Sequence, residues 1–138
     1  MFIQPCFIKK NTPELRNKLE ELGYNQHPSY GDNGQCLFLN REFYHTNVVG
    51  YTEEIERMID CGTNEELFLA LAALRDDTND NQWFIAQGTM WDENYNGEIT
   101  VYYEEGEWLI WDYYSFMEDE PSSFRKATVE ELINYFNK

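Results

Sequence analysis

Among 138 residues, the side chains best suited to chemistry are two histidines, three cysteines and four serines, and their spacing decides what they can do. His27 falls in a cluster of turn residues and His45 in an expected strand. A helical metal site needs two such ligands four residues apart on one face, so both are predicted to be surface or hydrogen-bonded histidines. Cys6, Cys36 and Cys61 are odd in number, scattered and without a C-x-x-C pair, which argues against a disulfide framework and against a zinc site. Reduced thiols of a cytosolic protein are expected instead. Ser29, Ser115, Ser122 and Ser123 lie outside any G-x-S-x-G turn, and no base is identifiable for the thiols, so nucleophilic catalysis has no motif to rest on.

The carboxylates offer a second chemistry. Asp76, Thr78 and Asp80 place oxygen side chains at alternate positions, as the start of a calcium loop does. The sixth position is then Asn81, where the tight turn requires glycine, and the twelfth is Gln87, where a bidentate glutamate is required. A solvated connection without metal is the expectation. With 26 acids in the chain, a pair at a glycosidase separation is expected by chance, and so small a chain leaves little room for a substrate cleft. Gly31 and Gly34 are followed by neither lysine nor a helix start, so no phosphate cradle is predicted. The chain reads as a non-enzyme without cofactor.

What remains is charge. The stretch "EGEWLIWDYYSFMEDE", Glu105 to Glu120, holds six carboxylates and five aromatics and not one lysine or arginine. No base occurs anywhere from Asp76 to Phe124, a window with thirteen acids. Net charge is −16, of which −12 falls on residues 76 to 138. Such a field repels phosphate backbones and anionic membranes, which disfavours direct binding to either and favours a basic protein partner. An aromatic share of 17% is too high for a disordered acidic tail, so the charge decorates a folded body.

In "EWLIWDYY" strand alternation sets Trp108, Ile110 and Asp112 on one face and Leu109, Trp111 and Tyr113 on the other. A single layer of helices cannot bury both faces, and Trp91, Tyr95, Tyr103, Tyr113 and Tyr114 exceed what a small domain hides. The predicted partner-binding surface is therefore aromatic with a carboxylate rim: Trp91, Asp92, Glu93, Tyr95, Glu104, Glu105, Glu107, Tyr113, Tyr114, Glu118, Asp119 and Glu120.

Three helices and several short strands must position these residues. Thr12 as N-cap, Pro13 at the first helical position, the stripe Leu15, Leu19 and Leu22, and Gly23 as a stop predict the first helix. A capping box of Thr63 and Glu66 opens the second, whose run "LFLALAAL" is apolar all round and predicts the most buried helix. Thr128 with Glu131 opens the third, with Val129, Leu132, Ile133 and Phe136 on one face. "FIQPCFI" predicts a strand in which Pro5 marks an edge or a bulge. Asn25 to Gly34 reads as a loop, "QCLFLN" and "FYHTNVVGY" as a strand pair turning near Asn40 and Arg41, and "TEEIERMI" as either a short helix or a strand. "QWFIA" predicts a strand, and "EITVYY" with "EWLIWDYY" a hairpin around "EEGE". This irregular alternation predicts an α+β fold, one domain over residues 1 to 138 with an antiparallel sheet covered by about three helices. The start lacks a basic region before its apolar residues, and no apolar run approaches the roughly 20 residues that span a bilayer, so a cytoplasmic protein is expected, free or as a homo-oligomer.

Three blocks, "NTPELRNKLEELGY", "DCGTNEELFLALAALRDDTNDNQWF" and "KATVEELINYF", resemble small proteins encoded by phages and prophages of gut bacteria. That group supplies no catalytic residues to carry over. The resemblance implies a phage accessory protein in a bacterial host, and such proteins often block defence systems. Carboxylates on a rigid sheet can stand in for the phosphates of duplex DNA, one charge per about 1.7 Å of axis, and occupy the basic channel of a nuclease or CRISPR effector. A second reading is a trap for a nucleotide signal, with Trp91 and Tyr95 stacked on the base. It requires Lys9, Lys10, Arg41, Arg75, Arg125 and Lys126 to converge on the phosphates. A third is an interaction domain whose acidity serves solubility alone.

Overall fold

In the computed structural model, which describes residues 1–27, 34–46, 56–111 and 121–137, helix α1 (Pro13–Leu22) begins and ends where local chemistry dictates. The Thr12 hydroxyl accepts from the Leu15 N–H at 3.1 Å, and Pro13 sits where no N–H is needed. Gly23 leaves the helix at φ 113°, a left-handed conformation, and the Tyr24 N–H closes onto the Leu19 carbonyl at 3.0 Å. Leu15 and Leu19 point inward and are buried.

Helix α2 (Glu65–Ala72) and helix α3 (Val129–Phe136) complete three helices among the described residues. The cap of α2 is Asn64, one residue after the expected Thr63. Its side-chain oxygen accepts from the Leu67 N–H at 3.1 Å while its amide donates to the Phe136 carbonyl at 2.8 Å. A threonine hydroxyl does the first job, but Asn64 adds a second tie to the end of α3. Five of the eight α2 residues are buried, against two in α1 and one in α3, so α2 is the most buried of the described helices, as its pattern predicts. Leu132 carries the inner face of α3, with Val129, Ile133 and Phe136 half-buried beside it.

The chain gathers into two compact units, Met1–Thr78 with Val129–Lys138, and Asn79–Thr128. The first unit holds β1 (Cys6–Ile8), β2 (Asn25–Gln26), β3 (Leu37–Asn40), β4 (Phe43–Thr46) and β5 (Ile59–Asp60) in the order β2-β4-β3-β1-β5. β1 with β3 and β3 with β4 are antiparallel, whereas β1 with β5 and β2 with β4 are parallel. The sheet is thus mixed, where a purely antiparallel one is expected. β1 is internal and not an edge, because Pro5 stands just before it and costs no ladder bond. Asn25 and Gln26, expected in a loop, pair instead with Phe43 and Tyr44. α2 packs on β1, and Cys6, Ile8, Leu37 and Leu39 are all but inaccessible.

The second unit holds β6 (Trp83–Ala86), β7 (Met90–Glu93), β8 (Ile99–Tyr103), β9 (Trp108–Ile110) and β10 (Phe124–Lys126). β10, β6 and β9 form an antiparallel sheet over a core of Phe84, Ala86, Tyr103, Trp111 and Phe124, with Leu109 against it. The inward side of β9 is the Leu109 and Trp111 side, as alternation requires. The expected hairpin of "EITVYY" with "EWLIWDYY" does not form. β8 pairs with β7 and β9 with β6, because the "EEGE" turn passes the chain from one sheet to the other. Asp112, Tyr113 and Tyr114, the residues of "FYHTNVVGY" after Thr46, and the first half of "TEEIERMI" lie outside the described residues. Among the described residues no helix is long and apolar enough to cross a membrane.

Candidate functional site

Among the described residues, the most exposed element of the second unit is the two-stranded ribbon of β7 and β8. Its turn is closed by the Asn94 N–H on the Glu98 carbonyl and the Gly97 N–H on the Asn94 carbonyl, both at 3.0 Å. Gly97 adopts φ 83°, which only glycine takes cheaply, and the Asn94 side chain accepts from the N–H groups of Asn96 and Glu98 at 2.9 and 3.0 Å. The register sets Trp91 opposite Val101, Asp92 opposite Thr100 and Glu93 opposite Ile99. Because Asn94 and Glu98 are a bonded pair, ladder alternation makes Asp92 and Thr100 the next bonded pair. Trp91, Glu93, Ile99 and Val101 then share one face, with their own N–H and C=O groups directed to the outer edges. Trp91 is 58%, Ile99 63% and Val101 49% exposed, and Tyr95 at the tip is 98% exposed.

At the other end, about 17 Å along the strand, the Glu104–Glu107 turn is held firmly. The Gly106 N–H donates to the Ala86 carbonyl and the Ala86 N–H to the Glu107 carbonyl, both at 2.9 Å. The Glu107 carboxylate folds back to accept from the Glu104 N–H at 3.0 Å, and the Glu105 N–H donates to the Thr89 hydroxyl at 3.1 Å. Glu104, Glu105 and Glu107 are exposed, as are Asp92, Glu93 and Glu98 on the ribbon. None of the six forms an ion pair with a described cation. By contrast, Lys9 faces Asp60, Lys10 faces Glu65 and Arg75 faces Asp77 in the first unit. The segment Asn79–Thr128 carries eleven acids against two bases, so its fields add where most surfaces interleave both signs.

Of the residues predicted for the site, Trp91, Asp92, Glu93 and Tyr95 lie on β7 and its turn, and Glu104, Glu105 and Glu107 at the far end of β8. Tyr113, Tyr114, Glu118, Asp119 and Glu120 lie outside the described residues. Tyr103, expected among the exposed aromatics, is buried with its ring 4.7 Å from that of Phe124. Glu98, Ile99, Val101 and Tyr102 belong to the ribbon but not to the prediction. Their signal is the Asn96-Gly97 pair, which marks a tight hairpin between "MWDE" and "EITVYY".

The remaining candidates serve the first unit. Asp76 and Asp77, the opening of the calcium-like stretch, hold the Met1 ammonium at 3.0 and 2.8 Å, and Asp77 also grips the Arg75 guanidinium through two 2.8 Å bonds. That guanidinium, with the Met1 ammonium, holds the Asp77 carboxyl well below the usual carboxylate range. Arg75 also lies 4.7 Å over the Phe2 ring. Burial, with Cys61 nearby, pushes the Cys6 thiol well above its ordinary range, so its reactive thiolate is disfavoured.

The two histidines meet. His45 is stacked between His27, at 4.2 Å between ring centroids, and Phe38, at 4.5 Å. Burial, with His27 beside it, lowers the pKa of His45 to about 4. An unfolded chain protonates this residue near 6.5, so between about 6.5 and 4 the unfolded state binds the extra proton and folding weakens as pH falls. Denaturant unfolding at pH 7 and pH 5 is expected to give a lower stability at pH 5, with the loss reduced in His45→Phe, which keeps the stack and removes the titration. A parent and variant that lose stability equally would contradict this assignment.

The geometry defines a class: an α+β protein with an exposed, acidic and aromatic ribbon. Comparison of the chain with protein-family models, with curated proteins and with solved structures found no match.

Proposed function

We propose that this chain acts by binding, without chemistry, and that the β7–β8 ribbon with the Glu104–Glu107 turn is the surface that meets a basic protein. The observation that carries this reading is the exposure of Trp91, Ile99 and Val101 amid six carboxylates without a described counter-ion. Solubility alone is served by scattered charge and has no use for an exposed tryptophan. Charge of one sign on a firmly held turn steers a basic partner, and the aromatic face supplies the desolvated anchor. The resemblance of three sequence blocks to phage and prophage proteins supports a finer reading. The chain is then an accessory inhibitor in the cytoplasm of a bacterial host, and its partner a nucleic-acid-binding effector of a defence system whose basic channel it occupies.

The nucleotide trap is less well supported. Lys9, Lys10 and Arg75 each already face a carboxylate, and Trp91 and Tyr95 stand among acids that repel phosphate. Immobilised chain incubated with a host lysate distinguishes the readings. Binding expects a basic nucleic-acid-binding protein that is retained at low salt, released at high salt and displaced by duplex DNA. Recovery of a small nucleotide with no protein partner would favour the trap.

A further inference from the structure

We propose that the outer edge of β8 takes an extended basic segment of the partner as a third strand of the ribbon. The inference rests on the reading above that a basic protein meets this surface. The N–H and C=O groups of Ile99 and Val101 point away from β7, and among the described residues neither makes a main-chain bond beyond the ladder. Natural sheet edges are commonly blunted by lysine, proline or a charge within the strand. The strand "ITVYY" has none of these and is β-branched and aromatic throughout. β7, in contrast, carries Asp92 and Glu93 within its strand, which leaves β8 as the open template.

Charge selects the occupant. Glu98 and Glu104 flank β8, so the segment that fits has lysine or arginine near both ends and aliphatic residues between. A second copy of this chain is disfavoured. Antiparallel self-pairing centred on Val101 sets Glu98 of each copy against Glu104 of the other, on chains that each carry −16.

The test uses the whole chain and a short synthetic peptide with arginine at both ends and alternating valine and threonine between. Saturating peptide is expected to slow amide exchange at Ile99 and Val101 at least ~10-fold while Thr100, already in the ladder, is unchanged. Val101→Pro removes an outward N–H without breaking the ribbon ladder and is expected to weaken binding at least ~10-fold, whereas Val101→Thr keeps it within ~3-fold. Amide exchange at Asp92 and Thr100 checks that the proline variant retains its ribbon. A peptide N-methylated on every interior residue, which has no interior N–H to donate along either edge, is the second arm and is expected not to bind.

Unchanged exchange at Ile99 and Val101 with peptide bound, or full binding of the N-methylated peptide, overturns the edge pairing. If Glu98→Lys with Glu104→Lys abolishes binding while Val101→Pro does not, the acidic surface stands and the third strand falls. If neither change alters binding, both readings fall. Self-association that Val101→Pro abolishes makes a second copy the occupant and overturns the basic segment.

Discussion

Reversal of Glu93, Glu104 and Glu105 to lysine is expected to slow association with the basic partner by about 10- to 100-fold at low salt, with the gap closing as salt rises. The three acids lie on the ribbon and its anchored turn, and none forms an ion pair with a described cation. Their contribution is therefore to the long-range field, which salt screens over a Debye length of about 10 Å at 0.1 M. Glu107 is left in place because its carboxylate accepts the Glu104 N–H. The comparison variant reverses Glu14, Glu21 and Glu130 on α1 and α3. Glu20 is spared there because it accepts from the Tyr44 hydroxyl at 2.8 Å. Stopped-flow association as a function of salt reads both variants. Equal, parental rates for the two would sink the acidic-surface reading and leave the apolar face of the ribbon to explain binding.

Leu71→Ala is expected to lower the unfolding free energy by about 2 to 5 kcal/mol. Leu71 is fully buried on the helix that packs against β1. Removal of its branched end loses transfer energy and leaves a cavity that the surrounding core fills only in part. Against a total of roughly 5 to 15 kcal/mol, that is a large share. Leu69→Ala, two residues earlier on a half-buried face of the same helix, carries the same change of helix propensity and is expected to cost markedly less. Chemical denaturation of both variants separates burial from propensity. A loss below about 1 kcal/mol at Leu71 would contradict its place in the core.

The parts of this structure that sequence reading finds are those decided locally. α1 is legible from end to end because Thr12, Pro13 and Gly23 act within a turn of where they stand. The existence and burial of α2 follow from its apolar pattern, but its cap does not. Thr63 and Asn64 are both competent, and the choice includes a bond from Asn64 to Phe136, which only the folded chain brings near. The ribbon is half legible. Trp91, Asp92, Glu93 and Tyr95 declare themselves by composition and are exposed. Their strand partner is misassigned because "EEGE" looks the same whether it joins two strands of one sheet or passes between two sheets. The Gly106 and Glu107 bonds to Ala86 settle that, and nothing near them in sequence announces it. The stacked pair of His27 and His45 depends on the parallel pairing of β2 with β4, a relation that spacing alone does not encode.

Among the described residues the ribbon meets the core only through Tyr103 at its base, which bears on how such a chain changes over generations. Neither the Trp91–Val101 face nor the Asp92–Thr100 face is buried, and the turn between the strands is closed by Asn94 and Gly97 themselves. Substitution at positions 91, 93, 99 or 101 thus alters the face that the ribbon presents while Leu71, Phe84 and Trp111 go on holding the fold. Most single changes there are tolerated and, if the ribbon is the binding surface proposed above, visible to a partner at once. A lineage facing a shifting target can rewrite this surface one residue at a time, with Asn94 and Gly97 kept as the fixed frame around drifting side chains.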